Sequence, residues 1–151
     1  MRRRTFLLGL AAGPLILSGC SAGPSATTGS GPATKLAASA PLPPFVQGLP
    51  AQVSAAYRTA LTHADALRYI PCYCGCGPTH KSVADCFVRE RRRDGTVEWD
   101  RHGSACGICQ GVALDSARML DEGRRLPEVY AAIDAAYRSY GPPTQAEPIV
   151  D

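Results

Sequence analysis

The chain has 151 residues, of which 45% are hydrophobic and 19% charged, with 16 Lys and Arg against 13 Asp and Glu. Three of the bases, Arg2, Arg3 and Arg4, stand at the very start, and without them acids and bases are equal in number. That balance leaves no electrostatic footprint for a polyanion, so nucleic acid is not an expected partner.

The N-terminus reads Arg2-Arg3-Arg4-Thr5-Phe6-Leu7-Leu8, followed by an apolar run to Leu17. A charged start and a short apolar run are the parts of a signal peptide, and the run is too short to span a bilayer. Arg3-Arg4-Thr5-Phe6-Leu7 resembles the twin-arginine export signal, and Leu17-Ser18-Gly19-Cys20 resembles a lipobox. Residues 1–19 are therefore expected to be removed and Cys20 lipidated. Membrane lipid, reached through Cys20, is then the first expected partner. The protein would sit on the extracytoplasmic face of the cell membrane, or on the outer membrane of a host with two. Residues 20–48 are dominated by Ser, Gly, Ala, Thr and Pro. They are expected to form a flexible tether. Residues 49–141 are expected to fold, and 142–151 to form a short tail.

A first helix is expected from Pro50 to Tyr69, because Pro suits the first turn and Val53, Tyr57, Leu61 and Ala64 fall on one face. His63 lies off that stripe and is expected to face solvent. Pro71 stops the helix. Ser82, with Asp85 behind it, predicts the start of a helix carrying Cys86, Phe87 and Val88 and ending in the basic run Arg89, Arg91, Arg92, Arg93. That run is expected as a solvated helix end, facing anionic headgroups. Asp94-Gly95 is a turn signal, Thr96–Trp99 a short extended piece, and Trp99 a cover over the core. A helix is expected from Ser104 to Arg124, with Ile108, Val112, Ala113, Ala117 and Leu120 as its apolar residues and Gly123 as its stop. A last helix starts at Pro127, with Tyr130, Ile133, Tyr137 and Tyr140 as its stripe, and ends at Gly141-Pro142. The fold class is mainly α: a small domain of about four helices with a cysteine-rich loop.

That loop, Pro71-Cys72-Tyr73-Cys74-Gly75-Cys76-Gly77, holds three thiols at alternating positions. In extended backbone, alternate side chains point the same way, so Cys72, Cys74 and Cys76 can converge. Glycines at 75 and 77 let the backbone wrap closely. Pro71–Cys76, followed by His80, Ser82 and Cys86-Phe87-Val88, resembles the PCYCGC-motif lipoprotein family, with the likeness running from the first helix through Cys109. The resemblance implies an envelope compartment and supplies no mechanism.

With Cys20 committed to lipid, six thiols remain: Cys72, Cys74, Cys76, Cys86, Cys106 and Cys109. Thiolates select soft ions, so the leading expectation is a metal centre made by all six, with His80 and His102 as second-rank ligands. Cys106 and Cys109 are neighbours on one helical face, at the end where the helix dipole favours a thiolate. Zinc takes four ligands, and the surplus of thiols favours copper(I), with zinc as the lesser candidate. Storage, delivery or sensing of copper, with a donor or acceptor protein as further partner, would follow. The alternatives are a disulfide-stapled module without metal and thiol–disulfide exchange at Cys106-Gly107-Ile108-Cys109. Six cysteines allow 15 pairings, which sequence does not resolve. No constellation for other catalysis stands out, so no enzyme activity is expected.

Overall fold

The computed structural model describes residues 40–150. The expected signal peptide, Cys20 and the tether up to residue 39 lie outside them. Five α-helices and one β-hairpin make up the described part: α1 (Ala51–Thr62), α2 (Ala64–Leu67), β1 (Val88–Arg91), β2 (Val97–Trp99), α3 (His102–Ala105), α4 (Gly107–Asp121) and α5 (Leu126–Tyr137). No described helix is long and apolar enough to cross a membrane.

Helices α1, α4 and α5 form the frame, with α4 packed between the other two. On α1 the buried residues are Val53, Ala56, Tyr57, Ala60 and Leu61, the three-and-four spacing of one helical face. The stripe continues through Ala64 and Leu67 on α2, after the helix breaks at His63 (φ −111°, ψ 17°). On α4 the buried face carries Cys109, Val112, Ala113, Ser116 and Ala117. Gly123, at φ 83°, closes that helix in the left-handed conformation that glycine takes without a steric penalty. Tyr57 is the centre of an aromatic cluster, with Phe45, Phe87 and Trp99 around it at 5.1–5.7 Å between ring centroids. Its hydroxyl donates to the Asp100 carbonyl at 2.6 Å, and burial pushes its pKa up to about 12.

Four expectations change. The segment after Ser82 is not an α-helix. It is a single 3-10 turn (Ala84–Cys86) followed by β1, which pairs antiparallel with β2. The Asp85 carboxylate accepts the backbone N–H groups of Lys81 and Ser82 and so shapes a loop. The arginines lie on the hairpin, where Arg91 pairs with Asp65 and Arg92 with Glu90. The helix expected from Ser104 is two helices, α3 and α4, separated by Cys106 in extended conformation (φ −113°, ψ 102°). On α5 the buried residues are Val129 and Ile133, while Tyr130 and Tyr140 are exposed and the helix ends at Tyr137. Tyrosines can keep their hydroxyls in water, and the smaller aliphatic residues one position away make the contact instead.

The ends of the domain are also wider than 49–141. Val46 is 2% exposed, Phe45 packs edge-on against Tyr57, and Arg58 donates to the Ala40 carbonyl, so 40–48 belong to the folded unit. The tail folds back: Thr144 is buried, its N–H bonds to the Cys72 carbonyl at 2.9 Å, and its hydroxyl accepts the Cys72 N–H at 2.9 Å.

Candidate metal centre

The cysteine loop begins at Ile70, three residues beyond the end of α2, and the Ile70 carbonyl accepts the Val83 N–H, which closes the loop at its base. Thr144 holds Cys72 from the other side. At Gly141 the backbone passes so close that a Cβ there would lie 2.8 Å from the Tyr73 carbonyl oxygen. Gly75 turns the chain at φ 84°, which lets Cys76 follow Cys74 back towards the same point. Cys86 comes from the 3-10 turn, with its neighbour Phe87 pressed against Gly103. His102 opens α3. Cys106 caps α4, its sulfur accepting the Cys109 N–H at 3.5 Å.

These elements bring together all eight residues expected from the sequence. Cys72, Cys74 and Cys109 form a triangle of sulfurs with sides of 3.3, 3.4 and 3.5 Å. Cys76 Sγ lies 3.8 Å from Cys86 Sγ, and Cys74 Sγ lies 3.3 Å from His102 Nε2. None of the six described cysteines is in a disulfide. Four sets of donor atoms lie within 4.8 Å of one another: Cys74, His102, Cys106, Cys109; Cys76, His80, Cys86, His102; Cys72, Cys74, Cys76; and Cys72, Cys86, Cys109. For comparison, four sulfurs at the zinc–sulfur distance of about 2.3 Å are about 3.8 Å apart along a tetrahedron edge. The donors are thus already at ligand spacing, and the group could hold a metal ion.

The electrostatics fit such a role. Burial pushes the Cys74 and Cys76 thiols up. Hydrogen bonding to Cys72, then to Cys86, pushes Cys109 up. Cys109 pulls Cys86 down, but Cys72 and burial outweigh it and the net direction is upward. Cys72 goes the other way: hydrogen bonds from Cys109, then Cys86, hold it far below the ordinary thiol range. The hydrogen bonds among the buried thiols thus favour negative charge at Cys72 over Cys74, Cys76, Cys86 and Cys109. A buried charge is costly, and neighbouring thiols are the donors at hand to offset it.

His80 supplies an independent sign. It is 6% exposed, yet neither ring nitrogen has a hydrogen-bond partner. Its Nε2 lies 3.4 Å from Asp100 Oδ2, close enough for charge attraction but not aligned to bond. Buried polar groups in folded proteins are nearly always satisfied, and an orphaned imidazole beside two thiols is placed where it could take an ion as its partner. His63, by contrast, lies away from the cluster and meets Asp121 at 3.0 Å.

Asp100 is the site residue that sequence reasoning missed. It is buried, and its Oδ1 accepts the His102 N–H at 2.7 Å while Oδ2 accepts from Arg89 at 2.8 Å. Burial would raise its pKa, but the His102 N–H, Arg89 and His80 together take it below the usual carboxylate range. The His102 bond is made by its backbone N–H, so the carboxylate fixes the start of α3 and with it the position of His102. The string Asp100-Arg101-His102, an Asp two residues before a candidate ligand, was the available signal. A cleft of about 360 Å³ lined by Thr79, His80, Asp85, Arg89 and Asp100 leads from solvent to His80.

Fold and site together define a small, mainly α domain closed around a cysteine–histidine cluster. A family described as protein of unknown function with PCYCGC motif matches residues 14–149, and the chain belongs to that family. The match takes in α5 and the tail as well as the motif. No curated protein and no solved structure matches the chain.

Proposed function

We propose that this protein is a membrane-anchored extracytoplasmic lipoprotein that binds copper(I) through its thiol cluster. The observation that carries the choice of metal is the donor count. Two of the four sets contain three donors each, all of them sulfur. The other two have the Cys3His and Cys2His2 compositions of zinc sites but share His102, so zinc could complete only one of them and would leave thiols unused, whereas copper(I) is soft and is satisfied by three thiolates. The arginine-led signal and Leu17–Cys20 support the anchor. A soft ion held at the membrane surface suits exchange with a copper donor or acceptor protein in the same compartment.

The experiment is a comparison of two perturbations on the purified lipoprotein in detergent. Metal bound to thiolates contributes its binding free energy to folding. A copper(I) chelator should therefore lower the melting temperature, and a mild reductant without chelating power should not. The reverse pattern would mean that disulfides hold the loop. Protein purified anaerobically from the cytoplasm that contains no metal, and takes up neither copper(I) nor zinc, would overturn the proposal.

A further inference from the structure

The four donor sets are not independent. Any two of them share one residue. Cys72 joins the two all-thiol sets. Cys74 and Cys76 join the loop set to the two histidine-containing sets. Cys109 and Cys86 join the buried set to the same two. His102 joins the histidine-containing sets to each other. The six connectors stand as an octahedron in which the four sets are alternate faces. The remaining faces, the Cys72–Cys74–Cys109 triangle among them, are equally close. The four sets are the faces that take in the further donors Cys106 and His80 while joining pairwise as the corners of a tetrahedron.

Five of those connectors are sulfurs, and a thiolate has lone pairs enough to bridge two ions. The sixth is an imidazole, whose two nitrogens point in different directions and do not bridge closely spaced ions. The two sets that meet at His102 are also the two that own a private donor, Cys106 in one and His80 in the other. Each therefore still has three donors when His102 is set aside. Those triads are Cys74, Cys106, Cys109 and Cys76, His80, Cys86.

Resting on the soft-metal reading, we propose that the centre assembles a four-ion copper(I) cluster in which Cys72, Cys74, Cys76, Cys86 and Cys109 each bridge two ions. Cys106 and His80 are terminal ligands, and His102 is a fourth donor at one corner. The balance is simple ligand exchange. The cysteines release the thiol protons they carry, six thiolates and four copper(I) ions combine, and the cluster carries two negative charges. No electron is transferred. One copper(I) would engage about three of the thiols and leave the others protonated and unused. Four ions bring each sulfur into use and leave little charge to hold.

The test is an anaerobic titration of the purified lipoprotein with copper(I) against a chromogenic copper(I) chelator, with native mass spectrometry to count bound ions. The expected endpoint is four ions per chain, with the four-ion species dominating partly loaded ones and a copper–copper path in X-ray absorption. Cys72→Ser breaks the bridge common to both all-thiol sets and should lower the endpoint to two. Cys106→Ser combined with His102→Ala, and His80→Ala combined with His102→Ala, each leave one corner with two donors and should lower it to three. Serine is also a good helix cap, so Cys106→Ser keeps the fold if Cys72→Ser does not. An endpoint below four in the unaltered, folded protein overturns the four-ion cluster. Uptake of one to three ions would leave the soft-metal reading standing, whereas no uptake of copper(I) or zinc would overturn both.

Discussion

Alanine at Gly103 and alanine at Gly107 are the same chemical change four residues apart, and the structure assigns them opposite consequences. A Cβ at Gly103 would lie 2.3 and 2.4 Å from two ring carbons of Phe87 and 2.9 Å from the Cys86 carbonyl oxygen. Carbon atoms pack at about 3.5–4.0 Å, so the Phe87 ring would have to retreat by about 1.2 Å or more. Phe87 is 0% exposed and braced against Tyr57, so no free space receives it. Overpacking of this kind costs about 1–3 kcal/mol. For a domain of this size that is a fall in melting temperature of roughly 4–20 °C. At Gly107, in the first turn of α4, a Cβ meets nothing within 4 Å. Alanine there should be neutral or stabilise by up to about 1 kcal/mol, because glycine loses more backbone freedom on folding. The assay is thermal unfolding of the reduced, metal-free protein followed by far-ultraviolet circular dichroism. Equal melting temperatures for Gly103→Ala and Gly107→Ala would refute the packing of Phe87 over α3. Because Cys86 precedes Phe87, Gly103→Ala should also weaken copper(I) binding, while Gly107→Ala leaves it unchanged.

Thr144→Val removes the acceptor of the buried Cys72 N–H and should destabilise the protein by about 1–3 kcal/mol. Hydrogen exchange should then speed up at the Cys72 amide, and an unchanged rate there would contradict the clamp. A chain shortened to begin at Leu49 loses the burial of Val46, about 1.5–3 kcal/mol, and should melt roughly 6 °C or more below one beginning at Ala40. Equal midpoints would show that 40–48 are a free tether after all. Copper(I) affinity should rise with pH. The Cys74, Cys76, Cys86 and Cys109 thiols are all pushed above their ordinary values, so at neutral pH they are protonated and must release protons to bind. Competition against a chelator at pH 6 and pH 7.5, corrected for the chelator's own protonation, should show tighter binding at the higher value, and a flat profile would refute it. Asp100→Asn replaces a carboxylate that accepts from Arg89 and the His102 N–H, and should cost about 1.5–3 kcal/mol. The folded pKa of Asp100 is lowered, so this contribution is present above its unfolded value and lost as pH falls through the folded one. The gap in melting temperature between variant and parent should therefore narrow in acid.

The parts of this fold that are local were legible in the chain. Val53, Tyr57, Leu61 and Ala64 are spaced for one helical face, and all four are buried. Asp94-Gly95 marks a real turn, with Gly95 at φ 88° and the Asp94 carboxylate accepting the Thr96 N–H. The alternation of Cys72, Cys74 and Cys76 was enough to predict their convergence. What escaped notice depends on partners distant in sequence. Val88–Arg91 is three-quarters polar and becomes a strand only because Val88 lies opposite Trp99 above the Tyr57 ring. Such strands are decided by cross-strand contact more than by propensity. The break at Cys106 was hidden because a cysteine is an unusual helix cap, and its sulfur takes the place usually held by an oxygen. Thr144 had no signal at all, since nothing in a short polar tail announces which backbone it will pair with.

The clasp between Thr144 and Cys72 spans 72 residues, and this sets an order of events during synthesis. At ribosomal speeds of 5–20 residues per second, Thr144 is made about 4–14 s after Cys72. For that interval the first three thiols of the motif exist in a nascent chain whose closing segment has not yet been translated. Cysteines from the loop, the 3-10 turn and α4 are all present before the piece that locks them in place. Thiol chemistry on the unfinished chain, whether capture of an ion or oxidation, thus has seconds in which to precede the final closure of the domain.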